Sequence, residues 1–346
     1  MIWGRLGLVL TVFMSITPLA EARDLTVVSW GGVYEETQRR IYFDPFHQQT
    51  GIPLKVETWT GGIDVLRSHV RGGNTTWDVV QAVSDEIHLG CKEGLFERLD
   101  FARIGGKERY IDEAAHPCGV GAIVASSVLA YDRNKVKDPP KSWADFFDTS
   151  KYPGKRGLRA SPKPALEIAL MADGVPTSEV YKMLETSEGV DRAFRKLDTI
   201  KQDLIFWKSP ADAPRLLGSG EVVFTVAWNG RIDAANRNEN RNFGIVWNQN
   251  VYALDFWGIL KGSPNVENAY KLLEFMGRVE NNAKLPLHMA YGFIHRDAHK
   301  HIPQDRLRHL PMYEENSRNA LEQSGAFWAA NTDRLNERFA KWAAAR

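Results

Sequence analysis

Near the start of the chain, short apolar runs alternate with glycine pairs and with longer stretches of helical periodicity. The apolar runs are rich in β-branched and aromatic residues, and they have the length of buried strands. We predict strands at 25–30, 52–59 and 77–83, and helices at 33–46 and 63–70. Strand, glycine turn, helix and strand in this order are typical of βα units with a parallel sheet.

The same alternation returns in the second half of the chain. We predict strands at 156–160, 221–228, 243–246 and 252–260, and helices at 165–172 and 190–200. The tail, 306–346, has apolar residues at helical spacing and is predicted to be helical. Because 346 residues exceed the usual size of one domain, and the elements fall into two groups, we predict two α/β lobes.

The first 22 residues have a different composition from the rest. Arg5 is followed by an uncharged apolar run, 6–16, which is too short to span a bilayer. Small residues at Ala20 and Ala22 suit cleavage by a signal peptidase. We therefore predict a signal peptide over 1–22 and an exported, soluble mature protein; a buried N-terminal helix is the alternative.

Charge and cysteine content narrow the class of protein further. The formal net charge is +1 and there is no long basic tract, which argues against nucleic acid as a partner. The only cysteines are Cys91 and Cys118. In an oxidising compartment an even number permits a disulfide, which could stabilise the fold by about 3 to 4 kcal/mol. Two separate buried thiols are the alternative.

Motifs of common enzymes are missing from the sequence. It has no G-x-S-x-G, H-E-x-x-H, phosphate-loop or C-x-x-C motif. His295, His299 and His301 lie close together, and the first two would share one face of a helix, as a metal site requires. No carboxylate or thiolate accompanies them in the pattern of a zinc site, and a solvated basic face is the alternative. We predict no catalytic residue, no metal and no cofactor.

Three tryptophans lie where predicted strands end and glycine turns begin. They are Trp30, Trp59 and Trp228, the last of them in the run VAWNGR. In open α/β sheets, ligands bind outside the carboxyl ends of the strands. A flat side chain can cover a ligand there, and glycine lets the backbone approach it. These positions predict a ligand cleft, with ordinary core packing as the alternative.

An acidic residue interrupts one of the apolar runs. Asp255 lies within VYALDFWGIL, where simple strand burial would leave a carboxylate without water. A buried carboxylate needs a partner. The run therefore predicts a binding role for Asp255.

The order of these segments resembles a known family. The signal peptide, SWGGVYEE (29–36), WDVVQAVSDE (77–86), VAWNGR (226–231) and VYALDFWGI (251–259) follow one another as in the extracellular solute-binding receptors of ABC importers. The closest branch looks like the spermidine/putrescine-binding group. The resemblance covers nearly the whole mature chain, and no single motif in it is as specific as a zinc signature.

This resemblance implies an α/β fold of the periplasmic-binding-protein-like type II, with two lobes, a hinge and a ligand cleft between them. It implies a first lobe of 23–125 plus 254–305, a second lobe of 126–253, and a C-terminal helical segment of 306–346. The chain would cross between lobes near 124–127 and return near 250–255. The expected protein is a periplasmic monomer that delivers its solute to an ABC permease in the inner membrane.

The resemblance also implies a set of ligand-binding residues. Aromatic side chains would stack along an alkyl amine, and carboxylates would bind its ammonium groups, because a buried cation must be paired. Carried over by position, the implied residues are Trp30, Tyr34, Ser84, Glu167, Trp228, Asp255 and Tyr291. For Glu167, an ordinary exposed helix glutamate is the alternative.

Three departures from the polyamine receptors alter the expected ligand. Pro164 replaces an acid, Ala253 replaces a tryptophan, and Arg231 stands where those receptors have a small residue. Arginine binds carboxylates through two hydrogen bonds, so Arg231 and Asp255 together would suit a zwitterion such as an ω-amino acid. Alternatively, Arg231 turns outward to Asp233 or Glu239 and leaves a small diamine site.

Two other classes of function are alternatives for this sequence, an enzyme and a receptor for iron or an anion. An enzyme on the same two-lobed fold would need a base or nucleophile, and the implied cleft offers neither histidine nor cysteine. An iron or anion receptor on this scaffold is the other alternative. Iron would favour clustered tyrosines, whereas those of this chain are dispersed.

Overall fold

The structure is a computed structural model, and it describes residues 23–73 and 75–345. The predicted signal peptide lies outside these residues. The strands are β1 (Leu25–Ser29), β2 (Leu54–Thr58), β3 (Val79–Val83), β4 (Ala115–His116), β5 (Gly119–Asp132), β6 (Arg156–Arg159), β7 (Leu204–Trp207), β8 (Phe224–Trp228), β9 (Phe243–Ile259) and β10 (Leu321–Glu322).

Helices cover the faces of the sheet. In the N-terminal half they are α1 (Gly32–Gln38), α2 (Asp44–Thr50), α3 (Ile63–Arg71), α4 (Ser84–Lys92), α5 (Trp143–Phe147), α6 (Pro162–Ala172), α7 (Val180–Leu184) and α8 (Ser187–Asp198). Further along they are α9 (Asp212–Ser219), α10 (Asn229–Asn238), α11 (Val266–Gly277), α12 (Val279–Asn282), α13 (Lys284–His288), α14 (Gln304–Leu307), α15 (Glu314–Ser317) and α16 (Gly325–Ala344). One π-helical turn, Arg39–Phe43, joins α1 to α2.

The sheet is mixed: it contains the parallel βα units that the sequence pattern indicates, together with antiparallel strands that the pattern does not indicate. Its strand order is β2-β1-β3-β9-β5-β8-β6-β7. Pairing is parallel among β1, β2 and β3, and again among β6, β7 and β8. The two central strands, β5 and β9, run antiparallel to each other, and each runs antiparallel to its other neighbour, β8 for β5 and β3 for β9. Each flank is therefore a small βα unit of the predicted kind, attached to a shared central pair.

The two central strands extend through both halves of the molecule. β5 is buried along its whole length, and β9 joins the two strands predicted at 243–246 and 252–260 into one. Their ladder is irregular between Gly121 and Ile123 and between Ser127 and Leu129. We attribute the missed β5 to its unbroken apolar character, which has no alternation to distinguish it from a buried helix.

Two separate hydrophobic cores lie on either side of this central pair. The first is built on β1, β3 and the carboxyl-terminal half of β9, and includes Val27, Val80 and Phe256. The second is built on β6, β8 and the carboxyl-terminal half of β5, and includes Leu129 and Phe224. Two cores joined by two continuous strands make two lobes. The lobe limits set out above stay a prediction.

The C-terminal segment is less uniformly helical than predicted. It contains β10, which pairs with β9 at Val251 and Tyr252, before the long helix α16. Phe327, Trp328 and Leu335 of α16 pack into the second core. The start of α16 also lies against α4 of the first lobe, since a Cβ built on Gly325 would meet the Ser84 hydroxyl. This helix therefore contacts both lobes.

The cysteines, the histidines and the lengths of the helices bear on three further predictions. Cys91 and Cys118 form a disulfide that ties the end of α4 to the start of β5. Among the described residues, no group of three or more histidine, cysteine or acidic side chains could hold a metal ion, and the histidines at 295–301 form no such group. Within the same residues, no helix is both long and apolar enough to cross a membrane.

Candidate ligand-binding site

A pocket lies between the lobes, where strands of both flanks end. Its lining from the first lobe comes from the ends of β1, β2 and β3, and from the second lobe from the ends of β6, β7 and β8. The middle of β5 and β9 forms its floor. The lining residues are Trp30, Tyr34, Trp59, Thr60, Val83, Ile123, Ala125, Arg159, Lys208, Pro210, Trp228, Arg231, Asp255 and Tyr291. The location agrees with the general rule for α/β sheets.

The acidic group of the pocket is Asp255, on β9. Its Oδ2 accepts hydrogen bonds from Trp30 Nε1 at 2.8 Å and from Gln81 Nε2 at 3.1 Å. No described residue donates a hydrogen bond to Oδ1. Burial raises the pKa of the Asp255 carboxyl to about 7, although the bonds from Trp30 and Gln81 oppose this. One oxygen is thus fixed by the protein, and the other is available to a ligand.

The orientation of Asp255 depends on buried polar groups behind it. Gln81, on β3, donates both to Asp255 and to the Tyr34 hydroxyl, which lies 2.8 Å away. Gln38 Nε2 donates to Gln81 Oε1 at 2.9 Å. Because every one of these groups is buried and hydrogen-bonded, the network leaves the carboxylate little freedom to rotate.

Aromatic rings form the walls beside this carboxylate. Trp30 and Trp59 are stacked with centroids 5.2 Å apart and an interplanar angle of 18°. Trp59 Nε1 donates to the Gln81 carbonyl at 2.9 Å, which fixes the pair to β3. On the opposite lobe, the ring of Trp228 packs edge-on against Trp207 at 5.4 Å. Trp59 was noticed in the sequence for its place at a strand end, but the family resemblance did not include it.

Close backbone approach explains the glycines beside these tryptophans. Gly31 has φ +66°, and a Cβ there would lie 2.5 Å from a Thr58 methyl group. A Cβ on Gly230 would lie 2.6 Å from the Tyr291 ring. Tyr291 in turn meets Tyr34 edge-to-face at 5.5 Å. The glycine in VAWNGR therefore lets α10 of the second lobe pack directly on an aromatic residue of the pocket.

Arg231 lies in the pocket but makes contacts across the lobes. Its Nη2 donates to the carbonyls of Gly31 and Trp30 at 3.3 and 3.5 Å, and its guanidinium lies 5.7 Å from the centroid of the Tyr34 ring. The outward alternative is wrong, because Asp233 pairs with Arg306 and Glu239 with Arg241. Arg231 Nε is buried and has no partner among the described residues.

A second guanidinium, Arg159, was missed by the sequence reasoning. It is the last residue of β6, and it lies 5.2 Å from the centroid of the Trp228 ring. Within the described chain, its guanidinium makes no hydrogen bond or ion pair at all. Burial lowers the pKa of Arg159, and the carboxylates of Glu86, Asp85 and Asp255 oppose that change. Its position at a strand end was the signal that could have identified it.

Two implied residues lie outside the pocket. Ser84 opens α4, next to the pocket residue Val83, and faces Gly325 of α16 instead. Glu167 is fully buried in the second lobe, where its Oε1 accepts hydrogen bonds from Trp328 Nε1 at 2.6 Å and the Tyr181 hydroxyl at 2.9 Å. The alternative, that Glu167 is an ordinary exposed glutamate of a helix, is also wrong, because its side chain is fully buried. α6 points this side chain into the second core rather than toward the cleft.

Taken together, the pocket offers a negative group, positive groups and flat apolar walls, all in the space between two lobes. This arrangement defines a protein that captures a small polar molecule by closing around it.

Comparison with known proteins identifies the family. Residues 42–294 match the family described as bacterial extracellular solute-binding protein. The chain belongs to that family. A γ-aminobutyric acid-binding protein of Pseudomonas aeruginosa is 37% identical over 99% of this chain and 97% of its own. The recognised family and the periplasmic-binding-protein-like fold are confirmed.

Solved structures agree with this assignment. A γ-aminobutyrate (GABA) receptor is 31% identical, with a TM-score of 0.83 over 93% of this chain and 98% of its own. The PBP MotA from A. tumefaciens B6, in complex with glucopine, is 27% identical, with a TM-score of 0.87 over 92% of this chain and 99% of its own. The two-lobed architecture is therefore shared over nearly the full length.

Proposed function

We propose that this protein is the periplasmic receptor of an ABC importer and that it binds a short ω-amino acid of the γ-aminobutyrate type. The observation that carries the proposal is that one pocket contains two charged groups, a carboxylate oxygen and a guanidinium, without hydrogen-bond partners among the described residues. Asp255 presents a free carboxylate oxygen, and Arg159 presents a guanidinium without any partner among the described residues. A ligand with one ammonium and one carboxylate would satisfy both.

At the acidic end, the ammonium group binds Asp255 Oδ1 between the indoles of Trp30 and Trp228. An ammonium over an aromatic face gains about 0.5 to 2 kcal/mol, and pairing with a carboxylate compensates for the water it loses. Since Oδ2 already accepts from Trp30 and Gln81, the carboxylate needs no reorganisation when the ligand arrives.

At the basic end, the ligand carboxylate binds Arg159. A guanidinium can hold a carboxylate through two parallel hydrogen bonds, which are stronger than bonds between neutral groups. Arg231 is the poorer candidate for this role, because its Nη2 already donates to backbone carbonyls of the other lobe. The exposed amine of Lys208 adds positive charge beside Arg159.

The charges of the pocket favour an amino acid over a polyamine. The described lining contains one carboxylate, Asp255, against the cations Arg159, Lys208 and Arg231. A second ammonium group would meet these cations without a carboxylate of its own, which is costly in a buried site. The small cavity volume of about 60 Å³ also favours a short ligand such as γ-aminobutyrate over the longer spermidine.

The wider proposal follows from the family. The protein acts as a monomer, releases its solute unchanged to an ABC permease, and has no enzymatic turnover. The names of its relatives support an amine-containing solute, since one is a γ-aminobutyric acid-binding protein and another a GABA receptor.

Isothermal titration calorimetry with a small ligand panel tests the function. We expect γ-aminobutyrate to bind more tightly than putrescine or spermidine, and butyrate and butylamine, which each lack one charge, to bind weakly or not at all. Tighter binding of putrescine than of γ-aminobutyrate would overturn the amino-acid assignment and leave a diamine receptor. Binding of neither would overturn the proposal, and ligand recovered unchanged after long incubation separates a receptor from an enzyme.

A further inference from the structure

A nearly buried ion pair joins the two lobes beside the pocket. Lys163, at the start of α6 in the second lobe, lies 2.5 Å from Asp85, in the first turn of α4 in the first lobe. Their side chains are only 15% and 8% exposed. Lys163 Nζ also lies 5.9 Å from the centroid of the Trp328 ring, on α16. Neither Lys163 nor Asp85 lines the ligand pocket.

The pair lies in a second, larger space between the lobes. This cavity has a volume of about 580 Å³ and shares five residues with the ligand pocket, namely Trp30, Thr60, Val83, Arg159 and Lys208. It is bounded by α3 and α4 on one side and by the β6–α6 turn and α16 on the other. Lys163 and Asp85 meet across it. The ligand and the ion pair therefore occupy neighbouring but separate parts of the same cleft.

We propose that Lys163 and Asp85 act as positioning residues for solute capture, forming a latch that stabilises the closed state without touching the solute. Movement of one lobe away from the other separates the two side chains, because each is carried by a different core. Their attraction is present only when the lobes are together. At this low exposure, water screens the attraction much less than it would on the surface.

The latch sets the affinity through the population of the closed state. A solute that binds only the closed form has an apparent Kd equal to its intrinsic Kd divided by the closed fraction. Removing the latch lowers that fraction, so the apparent Kd rises although every ligand contact is intact. The effect appears mainly in the dissociation rate, because opening the cleft is the step that releases the solute.

Three variants and one matched control test the latch. The variants are Asp85→Asn, Lys163→Met and the double substitution, each titrated with γ-aminobutyrate. The control is Asp64→Asn, which removes an acid from the same cavity whose only ion pair among the described residues, with Arg67, lies within one helix. Each single variant should raise Kd and the dissociation rate about tenfold, the double variant no further, and the control not at all.

A second measurement does not depend on the identity of the solute. Spin labels placed on the two lobes report the distance between them in ligand-free protein. We expect the single variants to shift this distance toward the open state, with the thermal midpoint of the ligand-free protein unchanged.

The two readouts separate the possible failures. If wild-type protein binds no γ-aminobutyrate, the proposed function is wrong, and the spin-label distance still tests the latch. If the variants match wild type in that distance, or if the double variant is additive in Kd, the latch is wrong whatever the solute.

Discussion

Two buried carboxylates of this protein have similar hydrogen-bond partners, but only one of them can be reached by a ligand. Asp255 and Glu167 each accept a hydrogen bond from an indole, of Trp30 and of Trp328. Burial raises the pKa of both to about 7. Asp255 keeps one oxygen on the pocket, whereas the second oxygen of Glu167, Oε2, is buried without a hydrogen-bond partner in the described structure.

The difference teaches that a raised carboxyl pKa does not by itself mark a ligand site. Both acids are desolvated, and desolvation is the largest cause of the raised pKa of each. Only Asp255 lies beside free space with cations on the far side. Function follows from what the unused oxygen can reach, so substitutions of the two acids should affect ligand binding very differently.

Removal of the Asp255 charge should have the largest effect. In Asp255→Asn, the ammonium group loses its counter-charge in a buried site, which costs about 2 to 5 kcal/mol of binding free energy, or roughly thirtyfold and more in Kd. Titration calorimetry with γ-aminobutyrate measures this. Unchanged affinity in a folded variant would place the amine elsewhere.

Removal of the positive charge of Arg159 should have the second-largest effect on ligand affinity. Arg159→Met keeps the length of the side chain but loses the guanidinium, so the ligand carboxylate loses charged hydrogen bonds worth about 1.5 to 3 kcal/mol, or roughly tenfold or more in Kd. The weak affinity for butylamine, which has no carboxylate, should not fall further when it is measured at high ligand concentration. An equal loss for both ligands would mean that Arg159 supports the fold of the pocket instead.

Acidification should weaken binding through Asp255. In free protein the Asp255 carboxyl has a pKa of about 7, and an ammonium ligand lowers it, so binding below pH 7 releases a proton. Kd should therefore rise by about tenfold per pH unit between pH 7 and pH 5. Titration in buffers of different ionisation enthalpy counts the proton, and the pH dependence should disappear in Asp255→Asn.

The smallest effect on binding is expected at the other acid. Glu167→Gln should leave Kd unchanged, because Glu167 lies outside the pocket and its new amide oxygen still accepts from Trp328 and Tyr181. Stability should change instead. The raised pKa of Glu167 means that wild-type protein loses stability as pH rises from about 4.5 to 7.

The neutral variant avoids that loss. Glu167→Gln should be more stable than wild type at pH 8, by up to about 3 kcal/mol, and not at pH 5. Urea unfolding at the two pH values measures the difference. A variant that is equally destabilised at both would show that the carboxylate is needed in its charged form.

The sequence predicted the flanks of the fold better than its centre. Alternating βα elements such as β1–α1 and β2–α3 have the periodicity and glycine turns that local rules describe. β5 and β9 do not, because strands buried on both sides show no alternation. Their pairing joins residues more than a hundred positions apart, such as Ser127 and Val251, and no local pattern specifies that.

For the site, strand-end reasoning and family resemblance pointed to Trp30, Trp228 and Asp255, and these three residues line one pocket in the structure. Tyr34, Arg231 and Tyr291 also line it. Resemblance misplaced Glu167 because the direction of a helical side chain depends on how the helix packs. Arg159 was missed because one basic residue at the end of a short strand resembles any surface arginine.

The placement of β9 has a consequence for how the receptor is made. Asp255 accepts a hydrogen bond from Trp30, which precedes it by 225 residues, and β9 pairs with β3 of the first lobe and with β5 along both lobes. A ribosome releases these residues in order, so a nascent chain that lacks β9 has neither the acid nor one of the two strands that join the lobes. An unfinished polypeptide is thus unable to sequester solute, and any truncation before this strand yields no partial receptor.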